Sequence, residues 1–241
     1  MNIIITGANR GIGKTMVEVF AANGHNVWAC ARKQNPDFEE LLSNLSTKYN
    51  VWVKPVYFEM TDEELLKEGL NSIFADKQQI DVLVNNAGIS TVGLLSQTKV
   101  EDVKHLFDVN YFSVLRIIQL VSKKMIMKRK GCIINMASLA GIEPQPGKIA
   151  YGSSKAAIIL MTQCLAKELG PLGIRVNAIA PGPIETEMIH QYNDDMLKQL
   201  ASESSLRRLG KPEEIAQTAL FLASEQASYI NGEIIKVDGG R

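Results

Sequence analysis

With 241 residues, 46% of them hydrophobic and 22% charged, the chain can bury one sizeable core and has the make-up of a globular domain. Its 26 basic and 26 acidic side chains cancel, so no global field argues for nucleic acid or an anionic membrane as partner. No apolar run approaches the roughly 20 residues that span a bilayer, and the chain opens on a strand-length run rather than a basic, apolar leader; a cytoplasmic protein is expected.

Ile3-Ile4-Ile5 predicts a first short strand. It runs into Thr6-Gly7-Ala8-Asn9-Arg10-Gly11-Ile12-Gly13, after which residues 14–23 are helical in pattern, with Gly24 as the cap. A strand, a glycine-rich turn and a helix start in succession bring a phosphate to free backbone N–H groups. Glycine supplies the unusual dihedrals and lets a pyrophosphate approach the backbone. Residues 26–31 predict the second strand. An acid near the end of such a strand holds an adenosine ribose hydroxyl, whereas arginine suits a 2′-phosphate. Ala31 takes the acid's place, Arg32 follows, and Arg10 is within reach, so NADP(H) is expected over NAD.

Residues 36–49 predict an amphipathic helix with Asp37, Glu39 and Glu40 in its first turn, as the helix dipole prefers. A third strand over residues 51–58 and a helix over 62–77 follow. Residues 80–84 are apolar except for Asp81, which suits a parallel strand covered on both faces. The strand ends in Asn85-Asn86-Ala87-Gly88, leaving small and amide side chains where open α/β sheets bind ligands. Two helices, 100–108 and 111–128, are expected to meet near Asn110. Residues 133–136 give a fifth strand that delivers Ser138 to the same edge. Beyond Pro144 and Pro146, Tyr151 opens a helix that runs to Gly170, and residues 174–180 make a sixth strand closed by Pro181-Gly182-Pro183.

Residues 185–205 are more polar, with apolar positions at Met188, Ile189, Tyr192, Met196 and Leu200, and read as a mobile lid or a loosely packed helical excursion. A helix over 212–223, opened by a proline, and a strand over 233–237 complete the chain. Without linker or repeat, residues 1–241 read as one domain. The class is α/β, a Rossmann-type doubly wound parallel sheet of about seven strands with helices on both faces. Cys30, Cys132 and Cys164 lack metal-ligand spacing and read as buried thiols, and no metal site is expected. His25, His105 and His190 share no spacing and receive no role.

Tyr151 and Lys155 lie one helical turn apart on one face. An ammonium beside a phenol favours the phenolate. Bringing a phenol from about 10 to neutrality takes roughly 4 kcal/mol. Two unit charges ~4 Å apart at an effective dielectric of ~20 interact by about that much. One lysine can therefore supply most of the shift in a partly dry site.

The glycine turn, Asn85-Asn86-Ala87-Gly88, Asn110, Ser138, Tyr151-x-x-x-Lys155 and Pro181-Gly182, in that order, resemble the short-chain dehydrogenase/reductase family over essentially the whole chain. Arg208-Leu209-Gly210-Lys211-Pro212-Glu213-Glu214-Ile215-Ala216 and Tyr229-Ile230-Asn231-Gly232-Glu233 resemble its 3-oxoacyl-[acyl-carrier-protein] reductase branch, of fatty acid biosynthesis. The resemblance implies that Tyr151 protonates a carbonyl oxygen as NADPH gives hydride, while Ser138 hydrogen-bonds the same oxygen. Lys155 lowers the Tyr151 pKa and holds the nicotinamide ribose, and Asn110 positions a relay water. Gly7, Arg10, Gly11, Ile12 and Gly13 cradle the phosphates, with Arg32 at the 2′-phosphate. Asn86, Ala87 and Gly88 line the adenosine and ribose region, with Glu59 and Met60 nearby. Pro181, Gly182, Ile184 and Thr186 close over the nicotinamide.

Relatives of that branch hold an acidic acyl carrier protein with basic residues beside the active-site mouth. Arg129 fits one such position, but Leu172 stands at the second and cannot pair with an acid. The alternatives to an acyl thioester substrate are a sugar derivative or small alcohol, and, outside enzymes, a non-catalytic NADP-sensing protein. Residues 111–127 and 156–169 are apolar around more than one stripe. The family covers such faces by subunit contact, so a homo-oligomer, dimer or tetramer, is expected.

Overall fold

Ile3 and Ile5 pack into one hydrophobic cluster and Ile4 into another, so the apolar run of the first strand is covered on both faces. The computed structural model describes residues 1–187, 189 and 193–241. Among these, seven strands form one parallel sheet: β1 (Asn2–Thr6), β2 (Asn26–Ala31), β3 (Val53–Tyr57), β4 (Val82–Asn85), β5 (Gly131–Met136), β6 (Ile174–Pro181) and β7 (Ile234–Val237). Their order is β3-β2-β1-β4-β5-β6-β7, so the winding reverses between β1 and β4, where Ile3 pairs with Val82 and Ile5 with Val84.

One face is covered by α1 (Gly11–Ala22), α2 (Pro36–Tyr49) and α8 (Pro212–Ala223), through Met16, Phe20, Leu42, Ile215 and Leu222. The other is covered by α3 (Glu63–Ala75), α5 (Ser113–Lys128) and α6 (Ile149–Leu169), through Leu66, Leu70, Ile117, Val121 and Ile158. Each such buried side chain contributes about 1.5–3 kcal/mol. The fold class is as the sequence implies, a doubly wound parallel sheet. Helix starts follow local chemistry: the Asn35 side chain accepts from the N–H groups of Asp37 and Phe38, and Asp62 from those of Glu64 and Leu65.

The expected break near Asn110 is absent. Helix α4 (Val100–Phe107) passes into α5 through a π turn over Asp108–Phe112. No proline or glycine lies between residues 100 and 128 to end the helix, so the extra residue is absorbed as a wider turn. Ser113 holds that turn, its single hydroxyl proton shared between the Asp108 carbonyl at 2.7 Å and the Met60 carbonyl at 2.8 Å. Helix α6 begins at Ile149, which places Tyr151 within its first turn.

Cys30 and Cys132 are buried as expected, and burial pushes both thiols up, Cys132 to about 11. Cys164 is exposed, because its position on α6 faces away from the sheet. In the polar excursion, α7 (Asp194–Ser202) is helical, and Ser204 and Ser205 fasten its far end by donating to the Gly239 and Gly240 carbonyls. Met188, His190 and Tyr192 lie outside the described residues. No helix of the described residues is long and apolar enough to cross a membrane.

Candidate active site

The carboxyl edge of the sheet gathers most of the residues singled out above. At the switch point, the Thr6 hydroxyl accepts from the N–H groups of Asn86 and Ala87 at 3.0 and 3.1 Å. The Asn86 amide donates back to the Thr6 and Gly7 carbonyls at 3.0 and 3.1 Å. These bonds lock the end of β4 onto the glycine turn. Gly7 and Gly11 have φ of 64° and 49°, the left-handed region that glycine enters freely. A Cβ on Gly13 would collide with the Gly7 carbonyl oxygen and lie 2.5 Å from the Asn86 amide nitrogen, so only glycine fits.

The start of α1 is open to an anion. Arg10 at its N-cap makes no side-chain capping bond and no acid lies in the first turn. By helix geometry the N–H groups of Gly11, Ile12 and Gly13 have no intrahelical partner. A pyrophosphate therefore fits this turn in both shape and charge. Ala8 N–H donates to the Cys30 carbonyl at 2.9 Å, which draws the turn beside the end of β2, where Arg32 is exposed. Arg10 leans instead toward residue 187, its guanidinium 3.9 Å from the Glu187 carboxylate. Glu59 turns onto Thr61, accepting from its N–H and hydroxyl at 3.3 and 3.1 Å, while Met60 is held through its carbonyl.

On the far side, Gly182 N–H donates to the Val237 carbonyl at 3.0 Å, and a Cβ there would lie 2.9 Å from Asp238 Cα. Pro181 ends β6, and Ile184 is buried and bridges to Gly210. The Thr186 methyl comes within 3.5 Å of where a Gly11 Cβ would sit, so the stretch after Pro183 folds back over the glycine turn.

Between these two walls stand Ser138, Tyr151, Lys155 and Asn110. Lys155 is 5% exposed, and its ammonium donates to the Met136 carbonyl at 2.7 Å. Burial depresses it to about 8. Its nitrogen lies 5.8 Å from the centre of the Tyr151 ring. Burial holds the Tyr151 hydroxyl above its ordinary value, and the Ser138 hydroxyl opposes that rise. The expected direction, a phenol made acidic by its amine, is thus reversed in this structure. Burial is the largest influence on that hydroxyl, and it outweighs the opposing hydrogen bond of Ser138. Ser138 itself begins a short 3₁₀ turn, its hydroxyl oxygen accepting from Ala140 N–H at 3.2 Å.

Asn110 is buried in the π turn. Its Oδ1 accepts from Ile89 N–H at 2.9 Å, and its Nδ2 donates to the Ile89 carbonyl at 2.9 Å and the Ser154 hydroxyl at 3.2 Å. Both amide hydrogens are therefore in use, and one lone pair on Oδ1 remains. Asn110 Oδ1 and Lys155 Nζ converge on Gly88, where a Cβ would lie 3.1 and 3.5 Å from them. That contact gives Gly88 a steric reason to lack a side chain.

Two features escape a reading of the sequence. Asn85 Nδ2 donates to Asn135 Oδ1 at 2.8 Å, and Asn135 Nδ2 to the Thr162 hydroxyl at 2.9 Å, tying β4, β5 and α6 together beneath the site. Lys148, the N-cap residue of α6, holds its ammonium 5.6 Å from the centre of the Tyr151 ring. The i, i+3 spacing to Tyr151 was its available signal.

Arg129, the one base that fits a carrier-binding position, and Leu172 at the second position lie away from these residues. Arg129 follows the last turn of α5 and donates to the Pro171 carbonyl at 2.9 Å, beside Leu172. Both lie at the amino edge of the sheet, because α5 and α6 run antiparallel to the strands. From Tyr151 to Leu169 helix α6 alone spans about 27 Å. They do not border the mouth of their own chain. Among the described residues no group of three His, Cys, Asp or Glu side chains could hold a metal ion.

A family model described as Enoyl-(Acyl carrier protein) reductase matches residues 7–241. A 3-oxoacyl-[acyl-carrier-protein] reductase FabG of Thermotoga maritima is 42% identical over 239 residues, covering 98% of this chain and 96% of the relative. A solved structure of a putative gluconate dehydrogenase from Agrobacterium tumefaciens superposes with a TM-score of 0.92 at 29% identity, covering 99% of this chain and 94% of that one. Another, ElxO with NADP bound, gives a TM-score of 0.88 at 33% identity, covering 99% and 97%.

Proposed function

Because the chain belongs to the short-chain dehydrogenase/reductase family of oxidoreductases, we propose that it reduces a ketone to a secondary alcohol with NADPH, at the site between the glycine turn and the start of α6. The observation that carries this reading is the convergence of Ser138, Tyr151 and Lys155 beside a helix start that suits a dinucleotide. When bound, the nicotinamide cofactor supplies the hydride. The chain's own residues handle the charge and the proton. Tyr151, kept protonated by burial, gives its hydroxyl proton to the carbonyl oxygen. Ser138 donates a hydrogen bond to the same oxygen, where negative charge develops. Lys155, depressed to about 8, is near enough to neutrality to return a proton to the phenol's side of the site. Asn110 keeps the Ile89 backbone in place and offers its spare lone pair to a relay water.

Backbone N–H groups of Gly11, Ile12 and Gly13 hold the pyrophosphate, with Gly7 giving the turn its shape. Arg32 meets the 2′-phosphate, and Arg10 with Glu187 closes over the turn. Asn86, Ala87 and Gly88 line the adenosine and ribose, with Glu59 and Met60 at the adenine end. Pro181, Gly182, Ile184 and Thr186 wall the nicotinamide, and residues 185–205 form the lid. A NADP-bound structural neighbour supports the cofactor choice. The matching family model bears the name of an enoyl reductase. The relatives matched along nearly the whole chain, named as 3-oxoacyl-[acyl-carrier-protein] reductases, favour a ketone instead.

Relatives named as 3-oxoacyl-[acyl-carrier-protein] reductases make a 3-oxoacyl thioester the first substrate class to test. The second is an oxidised sugar derivative, favoured by Leu172 in place of a base and by the gluconate dehydrogenase neighbour. Exposed Met127 and Leu160, on α5 and α6, favour pairing of copies through those helices. The compartment proposed is the cytoplasm. The test follows NADPH oxidation with a 3-oxoacyl thioester and with a panel of oxo compounds. Turnover of any of them supports the reductase, and NADPH binding without turnover of all would favour a sensor.

A further inference from the structure

Lys148 occupies an electrostatic position that the reductase reading leaves unused. It is half-buried at the mouth of the site, at the end of the loop that precedes α6. Its ammonium and that of Lys155 flank the Tyr151 ring, at 5.6 and 5.8 Å from its centre. Helix α6 adds to the positive field: it starts at this residue with no side-chain cap and no acid in its first turn. Among the described residues Lys148 has no ion-pair or side-chain hydrogen-bond partner. Burial alone lowers its pKa, with no neighbouring acid to offset it. Glu143, the nearest acid in the sequence, is turned away onto Lys236 and Arg241, at 3.5 and 3.8 Å. A half-buried ammonium with nothing to neutralise it is unfavourable, and the site contains two cations for one phenol.

We infer that Lys148 is a specificity-determining residue that receives an anionic group of the substrate, so that the preferred ketone is an oxo acid with its carboxylate close to the carbonyl. The inference rests on the reductase reading, with Tyr151 at the carbonyl oxygen, and refines its substrate class. With the carbonyl oxygen between Tyr151 and Ser138, the inference requires a carboxylate within about three atoms of it, short enough to meet an ammonium 5.6 Å from the ring centre of that phenol. A 3-oxoacyl thioester carries no charge so close to its ketone and leaves Lys148 unpaired. Of the two substrate classes above, the oxidised sugar derivatives meet this requirement when they are 2-oxo or 3-oxo acids.

The test uses matched pairs of probes on the full chain saturated with NADP(H): acetoacetate against acetoacetamide and acetoacetyl-N-acetylcysteamine for turnover, and 3-hydroxybutyrate against its amide for calorimetric binding to the NADP complex. Wild type is expected to favour the carboxylate member of each pair. Lys148→Gln should lose about 10–150-fold in kcat/KM and in affinity on the carboxylates, the range of one charge-assisted hydrogen bond, and change less than about threefold on the neutral probes. Lys148→Arg should retain most of the preference. Equal losses on charged and neutral probes, or a wild type that binds the amide as well as the acid, would overturn the inference. Binding is read without turnover, so a failure of the reductase reading, seen as unchanged turnover in Tyr151→Phe, is separable from a failure at Lys148.

Discussion

Replacing Lys155 by methionine separates what the lysine does for chemistry from what it does to stability. Its ammonium sits at 5% exposure and is depressed from the ordinary 10.5 to about 8 by burial. The unfolded chain therefore binds more protons than the folded one between about pH 8 and 10.5, and folding stability rises with pH across that window. At about 1.4 kcal/mol per pH unit, the burden on the folded state below pH 8 is about 3 kcal/mol. The bond to the Met136 carbonyl is absent from the variant at every pH, and whatever strength it draws from the charge in wild type is already contained in the depressed pKa. Denaturant unfolding of wild type and Lys155→Met, measured from pH 7 to pH 10.5, should show wild type gaining about 3 kcal/mol relative to the variant as pH rises. The difference cancels every other titrating group. Parallel curves would refute the reasoning, and a gap that closes in the opposite direction would mean that a charge partner, not burial, dominates.

Arg32→Asp should weaken NADPH binding at least about tenfold more than NADH binding, because it sets like charge against a 2′-phosphate; fluorescence titration with both cofactors reads this, and equal losses would remove Arg32 from that phosphate. Asn110→Ala strips the partners from the Ile89 N–H and carbonyl and from Ser154, which should lower stability by about 3 kcal/mol and the melting temperature by roughly 5–10 °C. A melting curve unchanged within a degree would show that the loop after β4 holds itself. Light scattering should give a mass of at least two chains; a value of 26.6 kDa would count against pairing through α5 and α6.

Much of the fold was legible because local signals and burial agree. Residues 26–31, 36–49 and 212–223 have in the structure the bounds that pattern and caps assign them. The strand over 51–58 is shorter, Val53–Tyr57, because the chain leaves α2 through Asn50 in its left-handed conformation and still bends at Val51. The continuity around Asn110 was not legible: a π turn leaves no compositional mark, and Ser113 helps hold it through the carbonyl of distant Met60. The site's members were readable as motif residues, but their electrostatics were not. Spacing alone put the amine of Lys155 near the phenol and could not show it engaged by Met136. Nor could it show that Arg129 and Leu172, close to the site's helices in sequence, lie at the opposite end of α5 and α6. Lys148 gained its meaning only once the start of α6 set its ammonium 5.6 Å from the centre of the Tyr151 ring.

One phenol delivers the proton in this proposal, while the rest of the pocket holds cofactor and ketone. Stopped-flow reduction by Tyr151→Phe, with NADPH affinity titrated on the same sample, examines it most directly. Expected is a fall in kcat/KM of about 10³-fold with a dissociation constant for NADPH within about threefold of wild type. Near-normal reduction by the variant would contradict it.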